Sequence, residues 1–432
     1  MRLTLRRASI VLYLLICASL SFISYRNQSM WVSERHADYA FGGDGGSGVV
    51  DQSRAIWNRL ASAFATVAPF EATTEDGTIR VDDLFPDGKT PTSDRILKQM
   101  RYKPAETGAP VTIFLPQFSA WNLLSGGHQF ENCPVSNCEI LSKFHQRWQA
   151  NAVVFRNQMS SLEPSTAEEH RRPEQIWILY LLESPNHTGS FQSYRNQINW
   201  TATYRWDSDI VTPYERITSV EDVPKDQRIA PPARKGDYAS GKTKLVAWFV
   251  SHCVTNNKRE DYVRRLQNHI PVDIYGSCGK LHCTRHDKRC SQMLSRDYKF
   301  YVSFENSNCR DYITEKFFVN GLMHDVVPVV MGAERSSYER AAPPHSFIHV
   351  DDFDSPAGLA AYLRYLDANH TAYNAYFRWK GSAQLLDTKF WCRLCALLHT
   401  PKAKVYADID DWWRGPDVCR NEGWQKRKST AG

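Results

Sequence analysis

No GxGxxG turn and no GxxxxGK(S/T) loop stands where a predicted strand turns into a helix. Dinucleotide redox chemistry and P-loop phosphate chemistry therefore have no support. Long runs of one charge are missing too: 53 Lys plus Arg against 47 Asp plus Glu leaves 53 − 47 = +6, spread along the chain. That argues against a dedicated nucleic-acid binder and suits an enzyme handling an anionic substrate. No internal repeat is evident. The 432 residues, 42% hydrophobic and 23% charged, describe a folded chain of two to three domains, and 13 Trp with 20 each of Tyr and Phe can fill a large core.

Arg2, Arg6 and Arg7 precede an uncharged stretch at residues 8–25. At ~1.5 Å rise per residue it spans roughly 27 Å, enough for a thin bilayer. The positive flank predicts a cytoplasmic tail at residues 1–7, a signal anchor at 8–25 and a lumenal remainder. A signal peptide cut near residues 18–21 is the competing reading; the apolar stretch runs past that cut, which favours the anchor. Ten of the 11 Cys lie beyond the span, as an oxidising lumen would suit. Cys133 and Cys138, and Cys392 and Cys395, are disulfide candidates. Cys278, Cys283 and Cys290 cluster with His282 and His286; zinc is conceivable there, but disulfides are the expectation. Sequons stand at Asn27, Asn186, Asn199 and Asn369. Asn27 is too near the bilayer, leaving the other three as glycosylation candidates.

Residues 26–105 have the composition of a stem. FGGDGGSG at residues 41–48 is a flexible linker, and Ile56, Leu60 and Phe64 form a helical stripe, either a self-association face for a homodimer or a local cover. The stretch at 82–94 is expected as loop, broken by Pro86, Gly88 and Pro91. Beyond it, residues 111–115, 152–155 and 176–182 are expected as buried strands of a domain at 106–235. A polar, Pro-containing stretch with Pro213, Pro224, Pro231 and Pro232 follows as the interdomain connection. In a second domain at 236–432, strands at 245–250, 272–275, 300–304, 326–330 and 347–350 alternate with helices at 259–269, 313–322 and 357–367. Strand, helix, strand at this spacing means parallel βαβ units, and two such halves mean two facing α/β domains with a cleft between them.

Ligands in open α/β sheets bind beyond the carboxyl ends of strands. One strand ends at Phe304, a polar loop follows, and Asp311 is expected to cap a helix beginning near Tyr312. Lys316 in its first turns offers a full positive charge to an anion, and Glu315 can accept hydrogen bonds from sugar hydroxyls. Glu-Lys pairs are ordinary on protein surfaces; the strand and polar loop before this one, with Asn306 and Tyr312, set it apart. Arg259 opens the helix after another strand and can neutralise a phosphate. Glu183 ends the run IWILYLL, where partial burial is expected to raise its pKa toward general-base duty. Asp207-Ser208-Asp209 matches a metal-binding DxD in letters only.

FENSNCRDYITEKFFVNG resembles the signature of the α1,3-fucosyltransferases, glycosyltransferase family 10, together with VVPVVMGA, SFIHVDDFDSP, LLESPNHT, INWTATYRWDSDI and KLVAWFVS. The likeness covers residues 111–419. FWCRLCALLH and DDWWRGPDVC look most like the branch that fucosylates the innermost GlcNAc of N-glycans. The resemblance implies a GT-B fold in a type II Golgi membrane protein, with GDP-L-fucose as donor and a glycoprotein N-glycan as acceptor. By motif, Glu183 is the general base, Arg259 and Lys316 contact the diphosphate, Glu315 contacts the fucose, and Asn306 and Tyr312 hold the nucleotide sugar. No dedicated metal site is apparent, and stimulation by divalent metal is left open, as is Lewis-type fucosylation of lactosamine. The loop SHCVTNNKR departs from the more aromatic, Pro-containing loop of many relatives, and Cys309-Arg310 has no assigned role. A glycoside hydrolase using Glu183 and Glu315 would leave the two cations unexplained. A membrane-anchored lectin would bind glycans with no GDP affinity.

Overall fold

The computed structural model describes residues 79–86, 94–116, 118–157, 171–229, 236–284 and 287–420. The tail, anchor, glycine-rich linker, candidate dimer stripe, Asn27 and His286 lie outside the described residues. Among the described residues, no helix is long and apolar enough to cross a membrane.

Two separate parallel sheets form, as the alternation of apolar runs and helices demands. The first contains β1 (Val111–Phe114), β2 (Cys138–Leu141), β3 (Ala152–Arg156), β4 (Ile176–Leu181), β5 (Trp200–Thr203) and β6 (Ile210–Val211), in the order β2-β1-β3-β4-β5-β6. The register pairs Ile113 with Ala152 and Val153 with Trp177. Every residue of β5 is buried although half its letters are polar. Its Thr201 and Thr203 are satisfied by Asp209 Oδ2 (2.9 and 3.2 Å, to N and Oγ1) and Ser208 Oγ (2.6 Å). Residues 200–211 are thus two parallel strands and their connection within the first sheet, where the sequence gives no apolar run to expose them. The Pro-containing stretch also supplies β7 (Ile217–Ser219), which pairs antiparallel with a strand near the C-terminus.

The second sheet contains β8 (Lys244–Phe249), β9 (Val272–Tyr275), β10 (Tyr298–Phe304), β12 (Val327–Met331) and β13 (Ile348–His349), ordered β13-β12-β10-β8-β9. A short β11 (Asn308–Cys309) lies just beyond β10. The strand order reverses between β8 and β10, so their carboxyl ends bound the crevice where such sheets take ligands. The loops leaving those ends are residues 250–258 and 305–314, ahead of Arg259 and Lys316.

Two expected boundaries shift. The stem does not extend to 105: Leu84, Phe85, Ile96 and Tyr102 are buried, and Asp94 caps a helix Arg95–Arg101. Nor does 236–432 stay with the second sheet. The helix Phe390–Leu398 packs into the first sheet's core beside Val111, Ile140 and Trp200, and Ile409 and Trp413 pack against Trp177 and Phe191 on its other face. Disulfides Cys133–Cys392 and Cys138–Cys395 fasten this return, so each sequence-adjacent pair bonds across rather than within. Cys253–Cys278, Cys283–Cys290 and Cys309–Cys419 complete the set, and they take up the cysteines of the conceivable zinc cluster.

Candidate active site

The loop after β8 is pinned from below. Asn257, buried, donates from Nδ2 to the Glu305 carbonyl (2.9 Å) and to Asn308 Oδ1 (3.0 Å), tying it to the loop after β10. Arg259 is also buried. Its guanidinium donates to the Phe304 carbonyl (2.7 Å) and the His252 carbonyl (2.9 Å) and pairs with Glu260 (3.3 Å). Arg259 thus opens the helix after β8, and its guanidinium faces backbone carbonyls at the end of β10 and in the loop after β8.

Glu305 is fully buried and lies under Lys316. It accepts from Thr314 N (2.8 Å) and Thr314 Oγ1 (2.9 Å) and pairs with Lys316 Nζ (3.2 Å). Lys316 Nζ also donates to Thr314 Oγ1 (2.9 Å) and meets Glu315 Oε1 (3.3 Å). Burial alone would lower the Lys316 pKa; Glu305 and Glu315 together push it above its ordinary value against the opposing charge of Arg259. Burial pushes the Glu305 carboxyl up, and Lys316 draws it back. Glu305 directly follows the buried strand β10 but is itself a carboxylate, a residue type seldom fully buried. The signal that could have found it is Gly332 at φ +155, where a Cβ would stand 2.8 Å from the Glu305 Cβ.

The helix begins one turn later than expected. Thr314 is its cap, Glu315–Phe317 is α-helical and Phe318–Leu322 continues as a π-turn. Asp311 is not the cap: held at φ 58, it turns back to accept from Ser337 Oγ (2.7 Å) and Trp206 N (3.1 Å). The two structural hydrogen bonds leave Thr314, with Glu305 beneath it, as the capping group.

Glu183 follows β4 and meets this loop. Tyr312 Oη donates to Glu183 Oε2 (3.3 Å), and Ser184 Oγ lies 2.8 Å from Ser307 Oγ, so the two sheets' loops touch. Tyr214 Oη donates to the Leu182 carbonyl (2.9 Å), fixing the residue before Glu183. Burial and nearby carboxylates raise both tyrosines, which remain neutral donors. Glu183 itself is exposed, not partly buried: two residues past the strand's end at Leu181, it has left the sheet's cover. Asn306 has a buried Oδ1 with no partner among the described residues, an acceptor that buried groups seldom leave open. The loop after β10 and the helix turn it enters thus carry Asn306, Tyr312, Glu315 and Lys316; Tyr312 reaches Glu183, Lys316 pairs with Glu315, and Arg259 holds the carbonyl at the loop's start.

The arrangement has recognisable relatives. The pattern "Glycosyltransferase family 10 (fucosyltransferase) C-term" matches residues 239–412, and "Fucosyltransferase, N-terminal" matches 112–215. Over 353 residues the chain is 42% identical to Glycoprotein 3-alpha-L-fucosyltransferase A of Drosophila melanogaster, covering 78% of this chain and 68% of the relative. It is also 42% identical over 283 residues to 4-galactosyl-N-acetylglucosaminide 3-alpha-L-fucosyltransferase FUT6 of Homo sapiens, covering 64% and 76%. The chain belongs to glycosyltransferase family 10, the fucosyltransferases. It is a glycosyltransferase enzyme, which sets aside the hydrolase and lectin readings. A solved α1,3-fucosyltransferase with GDP-fucose aligns over 72% of this chain and 97% of its own at 15% identity, with a TM-score of 0.47.

Other candidate residues of the fucosyltransferase fall elsewhere. Asp207 pairs with Arg205 (2.5 Å), while buried Asp209 pairs with Lys404 (2.8 Å), so the DxD carboxylates brace the first sheet. The letters GDYASGKT at residues 236–243 do fit GxxxxGK(S/T), but they precede β8 instead of following a strand. Lys242 Nζ donates to the carbonyls of Ser295 (2.8 Å), Tyr298 (2.6 Å) and Asp325, which makes it a structural strut. Among the described residues, one His/Cys/carboxylate group is compact enough for a metal, Cys138, Cys395 and His399, and its two sulfurs form a disulfide. Asn199 donates from Nδ2 to the Lys404 carbonyl (2.9 Å), and Asn369 donates to Tyr365 Oη (3.1 Å) while capping a helix. Asn186 lies in a short turn after Glu183.

Proposed function

We propose that this enzyme transfers L-fucose from GDP-L-fucose to the 3-hydroxyl of a GlcNAc in glycoprotein glycans, with inversion, and that the N-glycan core GlcNAc is its acceptor. The observation that supports the reading is the meeting of Glu183 with Tyr312: it joins the carboxylate after β4 to the loop that leads into Lys316 four residues later. The family membership and the LLESP and FENSN motifs support the same residues.

In this mechanism Lys316, backed by Arg259, compensates the diphosphate as it leaves, so no protonating acid is needed. Glu183 takes the proton of the attacking hydroxyl on the opposite side of fucose C1, and a β-linked donor yields an α-linkage. Exposure suits this role: the carboxylate must reach an incoming glycan, while the Tyr312 hydroxyl fixes its aim. Glu315 offers its carboxylate to the fucose hydroxyls, and Asn306 and Tyr312 help hold the nucleotide sugar. We also propose a GT-B arrangement of the two sheets and a type II Golgi location through residues 8–25.

The test incubates the full-length protein with GDP-fucose and glycans bearing either N-glycan cores or lactosamine ends, with linkage assigned by NMR. Fucose at the core GlcNAc is expected; exclusive modification of lactosamine would transfer the enzyme to the Lewis-type reading. Glu183→Gln should lower turnover ~10²–10⁴-fold while GDP binding persists. Unchanged turnover would remove Glu183 from the mechanism.

A further inference from the structure

Lys316 has three N–H donors and three acceptors around it: Thr314 Oγ1 at 2.9 Å, Glu305 Oε2 at 3.2 Å and Glu315 Oε1 at 3.3 Å. The ammonium is therefore fully engaged, and it cannot receive a phosphate oxygen unless one partner lets go. The two carboxylates are not equivalent. The Glu305 side chain is 0% exposed and the Glu315 side chain 45% exposed. Separating Lys316 from Glu305 would strand a buried charge, which is strongly unfavourable, whereas the half-exposed Lys316–Glu315 pair leaves its carboxylate open to water when it parts and so opens at lower cost. Glu305 is moreover locked by Thr314 on one side and by the backbone of Gly332 on the other.

Resting on the donor assignment above, we propose that Glu305 is a permanent positioning residue for Lys316, whereas Glu315 is an exchangeable partner that the donor's diphosphate displaces. Displacement has a consequence for the sugar. Glu315 is adjacent to Lys316 in sequence, and once released its carboxylate is available to the hydroxyls of the fucose joined to that same diphosphate. Phosphate binding and sugar recognition are then one coupled event: the carboxylate that guards the cation in the absence of donor becomes the sugar's hydrogen-bond acceptor in its presence. GDP alone displaces Glu315 without giving it a new partner; GDP-fucose does both.

Calorimetric titration of the full-length protein with GDP and with GDP-fucose tests this. Wild type is expected to bind GDP-fucose more tightly than GDP. Glu315→Gln removes the competing charge and is expected to tighten GDP about 5-fold, while the preference for GDP-fucose over GDP disappears. In a Lys316→Ala background the same Glu315→Gln change should leave GDP affinity unaltered, because the competition runs through that ammonium. Glu305→Gln is expected to weaken both ligands together by 10-fold or more. If that variant does not fold, the Glu315 and Lys316 arms decide alone. Weaker or unchanged GDP binding by Glu315→Gln overturns the exchange, and so does an equal gain in the Lys316→Ala background. A wild type that binds neither ligand overturns the donor assignment instead, so the two failures are distinguishable.

Discussion

Glu215 shows what a single side chain's surroundings decide. It lines a crevice with Tyr204, Trp206 and Arg216 from the first sheet's region and Asp311 and Phe318 from the second's. Burial, with the charge of Asp387 second, pushes its carboxyl from 4.5 up to about 6. The folded state thus favours the protonated form. The resulting stabilisation is fully present below the unfolded value of 4.5 and is lost as pH rises through about 6. Glu215→Gln should therefore raise stability by about 1 kcal/mol at pH 7.5 and by almost nothing at pH 4.5. Denaturant midpoints at the two pH values check this; an equal gain at both would show that charge burial is not the cause. Sequence reasoning found the residues whose chemistry is declared by a strand end and a polar loop, such as Glu183, Tyr312 and Lys316. It passed over Glu215, which shares its crevice with Asp311 and Phe318 from far along the chain, and Glu305, whose partners Thr314 and Lys316 are brought over it by the turn after β10. It also misplaced the cap, because Asp311 and Thr314 are equally good capping letters and only Ser337 and Trp206 decide between them.

Elements with strong apolar runs were legible: β1, β3, β4, β8, β9 and β10 all fall within a few residues of the positions their sequences predict. Those that were not, β2, β5 and β6, are short or polar and owe their burial to side-chain partners contributed from outside the strand. The loop at residues 250–258 shows how such partners extend to function. It carries the His252 carbonyl that Arg259 binds, and Cys253–Cys278 fastens it to the loop after β9. That second loop packs tightly beneath: a Cβ on Gly276, at φ +103, would stand 2.5 Å from the Val250 carbonyl oxygen. Replacing Cys253 and Cys278 by Ser reopens a loop of 25 residues' separation and should lower stability by about 2–4 kcal/mol. Because Arg259 is anchored to the same loop, GDP affinity should fall as well. Calorimetric Tm and GDP titration separate the two effects; a lowered Tm with unaltered GDP affinity would show that the disulfide braces the fold without setting the site.

At the scale of the whole molecule, the chain crosses between its two sheets twice. It leaves the first through residues 212–243 and returns after β14 (Ala383–Leu385), the strand that pairs with β7. The returning helix buries Leu394, Leu397 and Leu398 against the first sheet and places Arg393 in its interior, donating to Gln99 Oε1 (2.9 Å) and the Val211 carbonyl (3.0 Å). Each such leucine is worth about 1.5–3 kcal/mol when removed from water, and a small domain's entire stability is about 5–15 kcal/mol. The first sheet therefore does not own its core. A protein ending at residue 235 should show no cooperative unfolding transition, while the same segment co-expressed with residues 383–420 should recover one, with Cys133–Cys392 and Cys138–Cys395 formed. Circular dichroism on thermal melting, with and without reductant, reads the difference. Cooperative melting of the truncated segment alone would refute the dependence.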